Sequence, residues 1–172
     1  MSDFEKFQIY YEEYIGKVYA YINCRMNYNQ QLAEDLTSEI FMKALEKFET
    51  FSEKQGSFNA WIFKITKNHM IDYFRSQDKK KSTSIDELEN VLQSKEDTAG
   101  KAEKNIAVER LREAIDELPE DKQEIVSLKY ISGYSYKEIA EMLQEEENAI
   151  RVKAHRTIKE LKRKLYELDY EQ

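Results

Sequence analysis

The fold of this chain is decided by residues 118–165, which read LPEDKQEIVSLKYISGYSYKEIAEMLQEEENAIRVKAHRTIKELKRKL. Pro119 suits the first turn of a helix but not its interior, so one helix ends here and a second begins. Gly133 ends the second helix, and Ser135 with Glu138 has the pattern of a capping box that starts a third. A short polar turn and a long helix follow. This order is typical of a helix-turn-helix, whose last helix can lie in the major groove of DNA.

The long helix at the end of this stretch has two chemically different sides. Apolar residues recur along one stripe, at Ile150, Ala154, Ile158, Leu161, Leu165 and Leu168. At about 100° per residue, Arg156 falls centrally on the opposite side. This placement suits a groove contact for Arg156 and phosphate contacts for its cationic neighbours, and a solvated helix face is the alternative. The predicted DNA-binding residues of this helix are Arg151, Val152, Lys153, Arg156 and Lys159.

The composition indicates an all-α protein without a disulfide or a metal site. One proline and four glycines in 172 residues leave little room for β-turns, and strand-like alternation is missing. Cys24 is the only cysteine, which excludes an intramolecular disulfide and a cysteine-based zinc site. The sequence also lacks a glycine-rich phosphate loop and a nucleophile–base pattern. It therefore predicts neither an enzyme nor a cofactor.

The charge distribution favours local contacts with DNA and argues against a protein that coats nucleic acid nonspecifically. The net charge is −7, yet basic residues concentrate at 75–81 and 151–164. The acidic remainder suggests a second partner with a basic surface. No apolar run is long enough for a signal sequence or a membrane span, so we expect a cytoplasmic protein without membrane insertion.

Apolar periodicity divides the chain into two small helical domains. Three helices are predicted at the start, over residues 4–26, 31–48 and 58–77, and they can pack as one bundle. Residues 78–102 lose this periodicity and are rich in polar and acidic side chains. They predict a flexible acidic linker with a short helix over 84–92. The predicted domains are therefore 1–77 and 103–172.

The third predicted helix carries a tryptophan on its polar strip. Two of its sides are apolar, and the remaining strip holds Trp61, Lys64, Asn68, Asp72 and Arg75. An indole in line with an amide and a guanidinium could stack on an unpaired base or wedge beside it. Alternatively, Trp61 covers the core and its N–H reaches water. The sequence leaves both interpretations open.

Four segments carry a family resemblance. Residues 33–41 read AEDLTSEIF and residues 58–75 read FNAWIFKITKNHMIDYFR. The segment 118–140 contains the helix break and the capping box, and residues 150–156 read IRVKAHR. In this order they resemble region 2.2, regions 2.3 and 2.4, region 4 and its −35-reading helix in the extracytoplasmic-function (ECF) class of bacterial sigma factors. The resemblance implies a two-domain promoter-specificity subunit.

The resemblance also implies partners and site residues. The first domain would dock on the β′ clamp of core RNA polymerase through a face with Asp35, Leu36, Ser38 and Glu39. It would open and hold the −10 strand of promoter DNA with Phe51, Trp61, Lys64, Asn68 and Arg75. The second domain would read the −35 duplex and contact the β flap. Since members of this class are usually held inactive by an anti-sigma factor, such a partner is expected as well.

The chain departs from the family pattern in the turn of the helix-turn-helix. Gln144 and Glu145 stand where a glycine and an apolar residue are usual, and Glu145–Glu147 form a run of three carboxylates. These should repel DNA phosphates, although a helix N-terminus also favours them, which is the preferred interpretation. Two other functions stay open at this point. One is a regulator that binds only closed duplex, and the other is a helical adaptor without DNA affinity.

Overall fold

A computed structural model describes residues 2–83 and 102–170 of the chain. It contains the helices α1 (Asp3–Arg25), α2 (Gln30–Glu46), α3 (Phe58–Thr83), α4 (Ala102–Asp116), α5 (Glu120–Val126), α6 (Tyr136–Leu143) and α7 (Glu147–Tyr170). A 3-10 turn (Phe48–Thr50) follows α2, and a π-helical turn (Ser127–Ile131) continues α5. No strand occurs in the described ranges. The predicted all-α fold class is confirmed.

Helices α1, α2 and α3 pack around one apolar core. Ser2 and Glu5 form a capping box at the start of α1, and the Asn29 side chain accepts a hydrogen bond from the backbone N–H of Leu32 at the start of α2. Apolar residues of the three helices supply the core, whose buried members include Phe7, Val18, Ile22, Ala33, Leu36, Ile40, Ala44, Phe58 and Ile62. The bundle predicted from periodicity is therefore present.

Helix α3 is longer than its apolar pattern predicted. We expected it to end at Gln77, but it continues to Thr83, so residues 78–83 belong to the helix and not to a flexible linker. The reason is that loss of apolar periodicity does not stop a helix. Lysine is a good helix former, and this stretch has no glycine or proline to end it. The rest of the predicted linker, with its short helix over 84–92, lies outside the described residues except for Ala102, which begins α4.

The second half of the chain forms the predicted helix-turn-helix. Ser135 and Glu138 make both hydrogen bonds of the capping box at the start of α6. Gly133 has φ +77°, a left-handed conformation that suits glycine and lets the chain turn after the π-helical segment. Gln144 is left-handed as well, with φ +56°, and makes the turn between α6 and α7. On α7 the predicted stripe faces the core, with Ile150, Ala154 and Leu161 buried and with Ile158 and Leu165 partly buried.

The two halves pack against each other, which the sequence did not predict. Helix α3 lies against α6, and α1 lies against the π-helical turn. Leu128, Tyr134 and Ile139 of the second half belong to the same buried cluster as the core of the first half. One buried apolar cluster therefore spans both halves, while a second cluster, with Ile115, Leu118 and Leu161, belongs to the second half alone.

Ion pairs surround this apolar contact, and in each of them the first half supplies the cation. Cations of the first half meet carboxylates of the second half in three pairs, which we call the interdomain clasp: Lys17–Glu138 at 3.5 Å, Arg25–Glu120 at 3.2 Å and Lys67–Glu124 at 2.6 Å. Burial opposes ionisation of Glu138, yet hydrogen bonds from Ser135 and the nearby Lys17 outweigh it and hold its pKa below the usual value. The two halves are thus complementary in charge around their apolar contact.

Candidate nucleic-acid interfaces

Helix α7 presents the predicted duplex-reading residues on one outward face. Arg151, Val152, Arg156 and Lys159 are exposed, and Lys153 is half-buried. They lie opposite the buried Ile150, Ala154 and Leu161, because the helical period separates the two sets. An open groove of about 920 Å³ begins at Arg156 and is lined by cations and two carboxylates along the same helix: Lys159, Glu160, Lys162, Arg163 and Glu167, with Tyr166. The structure therefore brings the predicted residues of this helix together.

Two cations of this face are held by the acidic turn before it. Lys153 Nζ lies 2.7 and 2.6 Å from the two carboxylate oxygens of Glu145, and Arg151 donates to Glu147 at 2.7 Å. The Arg151 guanidinium also lies over the ring of Tyr136, at 4.9 Å from its centroid. In the sequence alone, the helix dipole is what accounts for these carboxylates. The pairing of Glu145 with Lys153 could not be predicted from spacing, because the two residues are eight positions apart across a turn, whereas Glu147 and Arg151 have the spacing of a helical ion pair.

The strip on α3 is present and is part of an aromatic cluster. Lys64, Asn68 and Arg75 are exposed, and Arg75 lies 3.6 Å from Asp72 one turn earlier. Trp61 is half-buried, so it both packs on the core and reaches the surface. Its ring lies 5.3 Å from that of Phe51, centroid to centroid, at an angle of 45°. The two sequence interpretations of Trp61 are therefore compatible with each other.

Phe51 joins this cluster from the loop between the 3-10 turn and α3. Its ring stacks on Phe48 at 5.8 Å and meets Phe58 edge-on at 5.5 Å. Tyr10 of α1 stacks on Phe58 and donates a hydrogen bond to Glu53 in the same loop. Burial and the Glu53 carboxylate raise the pKa of Tyr10 to about 12. Phe51 and Trp61 thus pack on a cluster of aromatic rings beside the polar strip.

The predicted polymerase-docking face on α2 is only partly a surface. Asp35, Ser38 and Glu39 are exposed, but Leu36 is 3% exposed and belongs to the core. The expectation that Leu36 contacts polymerase is therefore corrected: it lies on the apolar stripe that includes Ile40, which faces inward. Ser38 donates to the backbone carbonyl of Glu34 at 2.9 Å and so satisfies its hydroxyl within the helix.

Glu39 is part of a polar chain that the sequence did not reveal. His69 of α3 is buried, and its Nε2 lies 2.8 Å from Glu39. Its Nδ1 lies 2.7 Å from Lys43 Nζ. Because a lysine ammonium only donates, Nδ1 accepts and Nε2 donates to Glu39. This chain ties the exposed face of α2 to α3.

Two features of the described residues bear on other functions. No group of three or more histidine, cysteine, aspartate or glutamate side chains there could hold a metal ion. None of the described helices has both the length and the apolar character needed to cross a membrane.

Comparisons with known proteins agree with this arrangement. Sigma-70 region 2 matches residues 10–80, and Sigma-70 region 4 matches residues 108–161. The ECF RNA polymerase sigma factor BldN of Streptomyces coelicolor is 33% identical over 158 residues, which are 90% of this chain and 58% of BldN. The RNA polymerase sigma factor SigV of Bacillus subtilis is 30% identical over 76% of this chain and 74% of SigV. This chain therefore spans little more than half of BldN but most of SigV.

Solved structures share the fold at lower identity. The sigma factor RpoE from Bartonella quintana, solved with the anti-sigma factor NepR, has a TM-score of 0.65 at 19% identity and covers 94% of this chain and 98% of its own. CnrH, solved with the cytosolic domain of CnrY, has a TM-score of 0.60 at 17% identity, over 96% of this chain and 89% of its own. Two matched regions in order, the SigV relative and this fold lead to one conclusion. The chain belongs to the sigma-70 family of RNA polymerase sigma factors, in its extracytoplasmic-function class.

Proposed function

We propose that this protein directs core RNA polymerase to promoters and starts transcription by reading a −35 duplex and opening the −10 strand. One observation carries the proposal. A single chain holds a cationic, duplex-reading face on α7 and, on α3, an aromatic and amide strip suited to unpaired bases. We assign the first role to residues 103–172. The second belongs to the first domain, proposed as 1–77 and extended to the end of α3 at Thr83.

The proposed −35 site consists of Arg151, Val152, Lys153, Arg156 and Lys159. Arg156 is exposed at the centre of the face, where its planar fork can donate two hydrogen bonds to a guanine edge. Val152 can contact a thymine methyl group beside it. Lys159 reaches phosphates one turn further along. This division follows from docking geometry, since residues nearer the N-terminus of a recognition helix contact base edges and residues further along reach the phosphate backbone.

The proposed −10 site consists of Phe51, Trp61, Lys64, Asn68 and Arg75. Opening the DNA strands removes the stacking between neighbouring bases. Aromatic side chains on which the unpaired bases stack contribute about 1–3 kcal/mol of binding free energy per base. Phe51 and Trp61 supply such rings, and their packing against each other and against Phe48 keeps them in place. Asn68 supplies an amide that can both donate to and accept from a base edge. Lys64 and Arg75 supply charge for the displaced backbone.

The proposed partners follow from the same surfaces and from the relatives. The exposed Asp35, Ser38 and Glu39 of α2 suit a basic surface, which we assign to the β′ clamp of core polymerase. We assign the β flap to the second domain. RpoE and CnrH were each solved with a partner, an anti-sigma factor in the case of RpoE, so we propose an anti-sigma factor for this chain too. Because the proposed role is to direct core polymerase, we also propose that the protein acts in the cytoplasm and catalyses no reaction itself.

Run-off transcription tests the proposal directly. The chain would be added to core polymerase on a library of promoter fragments, with a known sigma factor as the positive control for active core. We expect transcripts from a subset of fragments with one shared pair of elements. Duplex binding without any transcript would favour the closed-duplex regulator, which the family assignment disfavours. Absence of any salt-sensitive DNA affinity would instead favour the adaptor.

Arg156→Ala and Lys159→Ala should weaken DNA binding in different ways. Loss of a bidentate base contact costs about 1–3 kcal/mol on the cognate −35 duplex and relaxes preference at that base pair. Loss of a phosphate contact lowers affinity for every sequence and flattens the slope of log K against log salt by about 0.9. Fluorescence anisotropy on cognate and scrambled duplexes separates the two patterns. Equal behaviour of both variants would make Arg156 a phosphate contact.

A further inference from the structure

Glu145 is held in a fixed place between the two helices of the helix-turn-helix. The left-handed Gln144 ends α6, and the backbone N–H of Glu145 donates to the carbonyl of Ala140 at 3.0 Å. Because its backbone is fixed in this way, its side chain is aimed at the first turns of α7. Both of its carboxylate oxygens lie within hydrogen-bond distance of Lys153 Nζ, at 2.7 and 2.6 Å.

This pair differs from the other carboxylates of the turn. The side chains of Lys153 and Glu145 are 43% and 34% exposed, so water screens the pair only in part. Glu147 pairs with Arg151 one turn along the same helix, in a more exposed position. The carboxylate of Glu146 is exposed and makes no ion pair within 4.0 Å among the described residues. Only Glu145 therefore bridges from the turn to a DNA-facing cation across the motif.

The pair changes what Lys153 can contribute to DNA binding. A cation gains affinity from phosphate contacts because DNA releases its condensed counterions. Lys153 is already neutralised by Glu145, so a phosphate must displace a carboxylate that holds the ammonium through both oxygens. The exchange is the same for every DNA sequence, since phosphates carry no base information. Arg156 has no such carboxylate partner within 4.0 Å in the described part of the chain, and its base contact is unaffected.

We propose that Glu145 is a positioning residue that restrains sequence-independent binding to duplex DNA by holding Lys153. The proposal rests on the proposed function, in that α7 is the duplex-reading helix. The restraint limits the fraction of the protein that is bound to bulk DNA. It thereby keeps free protein available for polymerase. The restraint acts through one lysine, which makes it separable from general charge repulsion.

Glu145→Gln tests the proposal in the full-length protein. The amide keeps the size of the side chain and removes its charge. Binding to a non-promoter duplex would be measured by fluorescence anisotropy between about 50 and 200 mM salt. We expect tighter binding at low salt and a slope of log K against log salt that is steeper by about 0.9, or about 3.5-fold more loss of affinity across this range.

Two matched variants show whether Lys153 carries the effect. Glu146→Gln removes the same charge from the same turn and frees no lysine, so the slope should stay at its wild-type value. In a Lys153→Gln background, Glu145→Gln should no longer change the slope. An equal effect of Glu146→Gln, an effect that survives Lys153→Gln, or an unchanged slope for Glu145→Gln would each overturn the proposal. Circular dichroism melting would verify that all variants are folded.

The outcome is distinguishable from failure of the proposed function. If the wild-type chain gives promoter-specific transcripts with core polymerase while Glu145→Gln binds DNA like wild type, only the role of Glu145 is wrong. If the wild-type chain gives no transcripts and its DNA affinity does not vary with salt, the assignment of α7 fails first.

Discussion

Asn68→Ala and Trp61→Ala are expected to leave duplex promoter binding intact and to impair strand opening, each by about 1–3 kcal/mol of open-complex stability. This corresponds to roughly 5- to 150-fold less open complex at equilibrium, at 1.4 kcal/mol per factor of ten. Duplex binding depends on the cations of α7, whereas opening needs a surface for unpaired bases. Permanganate footprinting of unpaired thymines, with a gel-shift assay for the closed complex, measures the two separately.

The chain offers a matched control for the amide. Gln77 lies on α3 nine residues after Asn68, which is half a turn around the helix at 100° per residue. Gln77→Ala should therefore leave opening unchanged. The Trp61 ring also packs against Phe48 and Phe58, so its variant needs a melting curve to verify the fold. Normal strand opening with both Asn68→Ala and Trp61→Ala would contradict this prediction. Trp61 would then only cover the core, and Asn68 would be an ordinary surface residue.

Leu128→Ala is expected to lower the free energy of unfolding by about 2–5 kcal/mol, the usual cost of a large cavity in a packed core. Leu128 is 0% exposed and lies where the two halves share one cluster, so the cavity would open between them. Urea unfolding followed by far-ultraviolet circular dichroism gives the free energy.

Val152→Ala serves as the comparison for this variant. Val152 is 46% exposed on the outer face of α7, and its truncation should change stability by less than about 0.5 kcal/mol. A similarly small cost for Leu128→Ala would mean that water reaches Leu128, and hence that the two halves do not pack in solution. A large cost combined with one cooperative transition would agree with a shared core.

Local patterns in the sequence were sufficient to predict the helices. Ser135 and Glu138 cap α6 because their spacing satisfies free backbone amides, whatever the rest of the chain does. The stripes on α2 and α7 face inward because a 3.6-residue period leaves no other place for them. Leu36 shows how the family resemblance led to an error that periodicity could have corrected: the stripe itself places it in the core.

Contacts between distant segments could not be predicted in this way. Lys67 and Glu124 are 57 residues apart, and each alone has the pattern of an ordinary surface charge. Leu128 and Ile139 have the pattern of the core of their own domain, and nothing in their spacing indicates that they also face α1 and α3. The pairing of Glu145 with Lys153 depends on a left-handed turn at Gln144, a conformation that is rare for residues other than glycine. The sequence predicted which residues make up the two proposed DNA faces, but not the contacts that hold their side chains.

The packing of the two halves sets how far the protein can reach. Elements centred at −35 and −10 are separated by about 25 base pairs at about 3.4 Å each, or roughly 85 Å of duplex. The 151 residues that the structure describes, packed as one body, have a radius of gyration of about 15 Å and are therefore roughly 40 Å across. With the interdomain clasp closed, the protein can engage one element but not both. Its apparent affinity for a complete promoter is thus its intrinsic affinity multiplied by the fraction of molecules whose halves have separated.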